Sequence, residues 1–121
     1  MSAFGPYADT EVVDFREATD YGLFGIYGPT GSGKSSIFSA MAFALFGEGA
    51  RGDQPIASMR SGHAAADRLT EVSLLFELGS RRYLVRRQPD PWRRKQRGAG
   101  VTATPHPACL FDVTVLDVVA V

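Results

Sequence analysis

The sequence predicts an α/β fold, and three adjoining segments carry the prediction. The run Gly28-Pro29-Thr30-Gly31-Ser32-Gly33-Lys34-Ser35 satisfies G-x-x-x-x-G-K-[ST], the spacing of a loop that wraps phosphate groups. Before it, Leu23-Phe24-Gly25-Ile26-Tyr27 is a short apolar run readable as a buried strand; after it, Ser36 to Phe46 is compatible with a helix. Strand, glycine-rich loop and helix in that order form the phosphate-binding unit of a P-loop NTPase.

The chemistry of a triphosphate explains the spacing. Concentrated negative charge is wrapped only if successive backbone N–H groups turn inward, and the glycines at 28, 31 and 33 permit this without a Cβ clash. The first turn of the following helix adds unpaired donors and the positive end of its dipole. Gly28, Pro29, Thr30, Gly31, Ser32, Gly33, Lys34, Ser35 and Ser36 are therefore the expected ATP-binding set. Lys34 is expected to reach the β- and γ-phosphates and is the one residue of the run with a catalytic part. The Ser35 hydroxyl is expected to complete a Mg²⁺ shell, and Ser36 to donate to the α-phosphate.

The remaining elements follow along the chain. Glu11-Val12-Val13-Asp14-Phe15 alternates in part and reads as a short strand, with Thr19-Asp20-Tyr21-Gly22 turning into the apolar strand at 23–27. The helix after the loop is apolar nearly all round (Ile37, Phe38, Ala40, Met41, Ala42, Phe43, Ala44, Leu45, Phe46), so it expects burial on most sides, and Gly47 is placed to end it. Gly49 through Ala66, rich in Gly, Ser and Ala, reads as loop with a helical turn. Val72, Leu74, Phe76 and Leu78 fall on one face of a strand, Gly79-Ser80 makes a turn, and Tyr83, Leu84 and Val85 return: an antiparallel hairpin over 72–87. Gln88 to Gly100 reads as exposed loop, and Thr102 to Val121 is β-prone without a clear partner.

Composition bounds the functional classes. The chain has 121 residues, 45% of them hydrophobic, enough for one domain. Yet a nucleotide-binding α/β domain needs several parallel strands between helical layers, and only one strand–loop–helix unit is evident. Met1 to Pro6 has neither a basic nor an apolar leader character, and the longest mostly apolar stretch, Ile37 to Phe46, is about half a membrane span, so a cytoplasmic location without a membrane is expected. Cys109 is the sole cysteine, which excludes an internal disulfide and fits a reducing compartment. His63 and His106 belong to no Cys/His/carboxylate cluster with metal spacing. The formal net charge of zero hides an asymmetry: residues 1–80 carry ten acidic and five basic side chains, residues 81–121 three acidic and eight basic, all eight between Arg81 and Arg97. Such a cluster is a candidate footprint for a nucleic-acid backbone, with a solvated basic hairpin as the equal alternative.

A family resemblance rests on dispersed residues. Phe4-Gly5-Pro6-Tyr7, Asp14-Phe15, Tyr21-Gly22-Leu23-Phe24, Ile26 through Ser36, Ile37-Phe38, Phe43-Ala44-Leu45-Phe46-Gly47, Arg60-Ser61, Thr70-Glu71-Val72 and Tyr83-Leu84-Val85-Arg86-Arg87 together resemble the N-terminal lobe of the SbcC family, over roughly residues 4–100. SbcC proteins are the ATPase subunits of bacterial SbcCD nucleases and are related to the SMC proteins. The resemblance implies residues 1–100 as the N-terminal lobe of an ABC-type ATPase head and residues 101–121 as an unassigned tail. It also implies partners: a C-terminal SbcC-like lobe, a second head across ATP, an SbcD-like nuclease, and DNA. The sequence departs from the family plan in lacking the Gln-containing loop, the ABC signature, the Walker B carboxylates, the switch His and any heptad segment, and in beginning inside what would be the first strand. Val113-Thr114-Val115-Leu116-Asp117 resembles a Walker B strand only superficially, with Val118 in place of the catalytic Glu, and Ser39 stands where the family commonly has Asp.

The expectation is thus an N-terminal SbcC-like ATPase fragment that binds ATP and Mg²⁺ without turnover. The alternative is a stand-alone nucleic-acid-binding module using Arg81 to Arg97, with a vestigial phosphate loop. A small P-loop kinase or GTPase is disfavoured, because neither a guanine-reading motif nor a lid-like arginine segment follows.

Overall fold

The computed structural model describes residues 1–50, 55–89, 93–94, 101–102 and 108–115. Strands β1 (Ser2–Phe4) and β2 (Tyr7–Thr10) form a tight antiparallel hairpin, closed by Gly5 at φ +57° and Pro6, with Phe4 opposite Tyr7. Isolated bridges join this hairpin to the rest of the fold, Ser2 to Glu71 and Phe4 to Arg60. A short helix α1 (Arg16–Thr19) follows, fixed at its start by Asp14, which accepts from the Arg16 amide and guanidinium. Those hydrogen bonds pull the Asp14 carboxyl down to about 2.

Helix α2 (Lys34–Phe46) is bounded by two glycines in the left-handed region, Gly33 before it and Gly47 after it. The Gly47 amide donates to Phe43 O at 2.9 Å, so the last carbonyls are closed by a glycine cap. The Arg87 Nε adds a bond to Ala44 O at 3.2 Å while its guanidinium lies 6.0 Å above the Phe43 ring, a cation at the negative end of the helix dipole. A 3₁₀ turn (Ile56–Met59) then leads to β3 (Val72–Leu78) and β4 (Arg81–Arg87), paired in register from Val72↔Arg87 to Leu78↔Arg81 around Gly79 at φ +62°. Two-residue strands β5 (Arg93–Arg94) and β6 (Val101–Thr102) pair with each other, and β7 (Ala108–Asp112) pairs with β4 to give the sheet order β3-β4-β7.

The core is one cluster in which α2 is pressed between β1 and the β3-β4 sheet: Phe4, Ala40, Phe43, Ala44, Met59, Val72 and Val85, with Leu74 and Phe76 packed against it. Phe43 is fully buried, its ring 6.3 Å from that of Phe4. The rest of the helix circumference stays open, with Phe38 51% and Phe46 76% exposed. The burial on most sides expected of so apolar a helix is thus met on one face only, because among the described residues β1 and the β3-β4 sheet reach it from that side.

Four further expectations change. The strand expected at Leu23–Tyr27 is absent: the segment pairs with no strand among the described residues, and Tyr27 is 93% exposed. A strand exists only with a hydrogen-bonding neighbour, and the described strands turn toward one another instead. The strand expected at 11–15 lies earlier, at Tyr7–Thr10, because the Gly5-Pro6 turn sets the hairpin register; residues 11–15 are irregular, tied to the loop-leading segment by the Phe15–Phe24 ring contact at 5.6 Å. The β-prone tail does find a partner, since β7 completes the sheet beside β4. Within the supposed loop 88–100, Arg93 and Arg94 pair with Val101 and Thr102; its other residues from 90 onward lie outside the described residues. Val113 is buried and Thr114–Val115 is a turn, so no extended Walker B-like strand forms there, while Leu116, Asp117 and Val118 lie outside the described residues.

Phe43→Ala is expected to destabilise the chain by about 3–5 kcal/mol, because it opens a cavity at the contact of all three layers. Phe46→Ala, with its ring in solvent, is expected to change stability by no more than about 0.5 kcal/mol. Denaturant unfolding of the two variants followed by circular dichroism reads the difference.

Candidate nucleotide-binding site

The candidate phosphate loop, residues 28–33, is shaped by its glycines. Gly31 (φ +84°) and Gly33 (φ +89°) both adopt a conformation that L side chains rarely take, and Gly33 is the N-cap of α2. Space around Gly33 is closed as well: a Cβ there would collide with the Tyr7 hydroxyl and meet Pro6 Cγ at 3.0 Å. The Ser36 and Ile37 amides donate back to Gly33 O at 3.0 and 3.3 Å, and the Ser32 amide to Pro29 O at 3.3 Å. By contrast, the amides of Lys34 and Ser35 meet no acceptor among the described residues. These are the orphan donors of a helix N-terminus.

Lys34 folds back over its own loop. Its Nζ donates to Gly28 O at 2.7 Å, Pro29 O at 2.5 Å and Ser32 Oγ at 3.4 Å, so all three ammonium protons have acceptors. The Ser35 side chain is exposed, and Thr30 and Ser32 line the open rim. No Asp or Glu occurs between Asp20 and Glu48. Loop and helix thus offer free amides, one ammonium and exposed hydroxyls, that of Ser35 among them. That donor set fits a polyphosphate with a divalent cation and provides no carboxylate to position an attacking water.

The structure brings the whole expected set, Gly28 to Ser36, to one helix end. It treats the basic segment differently. Arg81 faces Asp112 at 3.9 Å, Arg82 pairs with Glu77 at 3.1 Å, Arg86 reaches Glu71 at 3.4 Å, and Arg87 caps α2. Each of these four arginines has a partner in the fold, so the described half of the cluster is no free cationic stripe. The side chains of Arg93 and Arg94, together with Lys95, Arg97 and His106, lie outside the described residues. Cys109 is exposed on β7 and His63 on the surface. An apolar groove lined by Met1, Val13, Phe15, Ile37, Met41 and Leu74 flanks α2, and no residue of the phosphate loop lines it. Among the described residues no helix is long and apolar enough to cross a membrane.

Two supports of the loop escape a motif reading. One is the Pro6-Tyr7 wall, whose only sequence signal is its place in the Phe4-Gly5-Pro6-Tyr7 run. The other is Arg60, which donates to Arg68 O at 2.6 Å, Ala65 O at 2.8 Å and Thr70 Oγ1 at 3.2 Å, stapling the connection that bridges to Phe4. Nothing in its spacing signals that role. Gly33→Ala is expected to cost at least about 1–2 kcal/mol from its backbone conformation alone. Gly62→Ala, where an added Cβ meets open space, is expected to stay within about 0.5 kcal/mol. Thermal melts of the two variants provide the check.

Comparison with known proteins places the chain in a family. The AAA domain family matches residues 1–102. Proteins named as the SbcC component of the nuclease SbcCD are similar to the chain: that of Vibrio cholerae is 46% identical over 110 residues, covering 91% of this chain and 11% of its own length. That of Lactococcus lactis is 44% identical over 102 residues, covering 84% and 10% respectively. The chain therefore spans about a tenth of the length of these curated relatives. No solved structure matches it. With a family match over residues 1–102 and this extent of identity to SbcC proteins, the chain belongs to the AAA domain family, as an N-terminal fragment of SbcC type.

Proposed function

We propose that this chain is the ATP-binding part of an SbcC-like DNA repair ATPase. The observation that supports the reading above all others is the end of α2: two free amides, Lys34 and the exposed Ser35 hydroxyl converge beyond a glycine-shaped turn. Gly28 to Gly33 wrap the phosphates with backbone donors. Lys34 leaves the Gly28 and Pro29 carbonyls for β- and γ-phosphate oxygens, Ser35 holds Mg²⁺, and Ser36 closes on the α-phosphate. Bound Mg²⁺ would neutralise developing charge on the phosphates. Among the described residues no carboxylate stands at the loop to activate water, so the reading assigns hydrolysis to a complete head, with a C-terminal SbcC-like lobe supplying the carboxylate and a second head closing over ATP. The intact assembly then controls DNA-end processing by an SbcD-like nuclease, in keeping with the names of the relatives.

Wild-type chain is expected to bind Mg·ATP in calorimetric titration, and Lys34→Ala to lose at least about tenfold in affinity, the worth of one charged hydrogen-bond group. Ser35→Ala is expected to weaken binding with Mg²⁺ present and to leave the metal-free affinity within about twofold. Equal binding by wild type and Lys34→Ala would overturn the site assignment. The isolated chain is expected to show no steady ATP turnover until a matching C-terminal lobe is added. Turnover by the chain alone, abolished by Lys34→Ala, would sink the two-lobe reading.

A further inference from the structure

We propose that Tyr7, seated by Pro6, is a positioning residue of the phosphate loop: its ring is the wall that holds the Gly33–Lys34 turn in the shape that frees the helix-end amides. The inference deepens the ATP-binding reading and rests on it for its functional meaning, although its structural content is independent. The Phe4-Gly5-Pro6-Tyr7 run marks the family without an evident chemical task, and the structure gives it one. The β1–β2 turn lies directly on the loop. Tyr7 and Pro6 fill the space beside Gly33 so closely that a Cβ could not be accommodated, and Gly5 presses on Ser36, whose Oγ would stand 2.8 Å from a Cβ added there. The Tyr7 hydroxyl donates to Ser32 O at 3.4 Å, a long bond that orients the ring more than it binds it. The turn behind the wall is itself anchored, the Gly5 amide donating to Met59 O at 2.8 Å and the Ser61 amide to Ala3 O at 2.9 Å.

The loop needs such an outside support. The segment leading into it, Leu23 to Pro29, has no ladder of its own among the described residues, and Lys34 pulls the loop inward onto Gly28 and Pro29. Left-handed Gly31 and Gly33 have many alternative conformations open to them. Aromatic packing on Gly33 removes those alternatives from one side, so the anion site is organised before an anion arrives.

Amide hydrogen exchange without nucleotide tests the wall directly, and binding of inorganic tripolyphosphate with Mg²⁺ reads its consequence. In Tyr7→Ala, exchange in a peptide covering 31–37 is expected to rise about tenfold while β3 and β4 keep their wild-type protection. Tyr7→Phe, which retains the ring, is expected to behave as wild type in that peptide. Tripolyphosphate affinity is expected to fall with Tyr7→Ala and to return with Tyr7→Phe. Unchanged loop exchange in Tyr7→Ala would overturn the proposal, as would a uniform rise across loop and hairpin, which marks a general packing role. A rise in Tyr7→Phe equal to that in Tyr7→Ala would also overturn it, by assigning the effect to the hydroxyl. If the loop loosens as expected but wild type binds neither tripolyphosphate nor Mg·ATP, the wall stands and the ATP-binding reading fails.

Discussion

Everything in this fold depends on how Phe43 is buried. Its ring fills the place where α2, β1 and the β3-β4 sheet meet, against Phe4 on one side and under the Arg87 guanidinium on the other. That contact fixes the roll and height of α2. Because the glycine-rich loop is the continuation of α2 past Gly33, the position of the free amides is set a little over two turns away by a hydrophobic contact. Burial of apolar surface is what holds α2 in place here.

The shape of the candidate loop was largely legible in the sequence, and for a local reason. Glycine at 28, 31 and 33, lysine at 34 and serine at 35 act through backbone conformation and helix polarity, properties fixed by residues within one turn of one another. The β3-β4 hairpin was legible on the same ground, since alternation and the Gly79-Ser80 turn are local signals. What failed were elements whose state depends on neighbours far along the chain. Leu23 to Tyr27 has the composition of a central strand and no pairing partner among the described residues, so hydrophobicity alone could not make it one. Ala108 to Asp112 looked partnerless because its neighbour β4 lies more than twenty residues earlier, and pairing at that separation leaves no local trace.

Charge behaved in the same way. Counted along the chain, acid and base separate into an N-terminal and a C-terminal excess, which suggested a cationic face for nucleic acid. Folding interleaves the two: Glu71 and Glu77 come to Arg86 and Arg82, Asp112 to Arg81, and the helix end takes Arg87. Exposed pairs of this kind add little stability each, but they set register across the sheet and discourage like-charge pairing. Segmental charge is therefore a poor guide to surface potential where the segments are strands of one sheet.

The posture of Lys34 carries a consequence for ligand choice. With its ammonium already held by Gly28 O, Pro29 O and Ser32 Oγ, the loop contains its own competitor. A lone small anion gains little by displacing three acceptors with one. A chain of linked phosphates replaces them together and delivers further oxygens to the free amides behind. On the proposed ATP-binding reading, discrimination by polyphosphate length would begin as an exchange of hydrogen bonds inside the loop, before any contact with sugar or base.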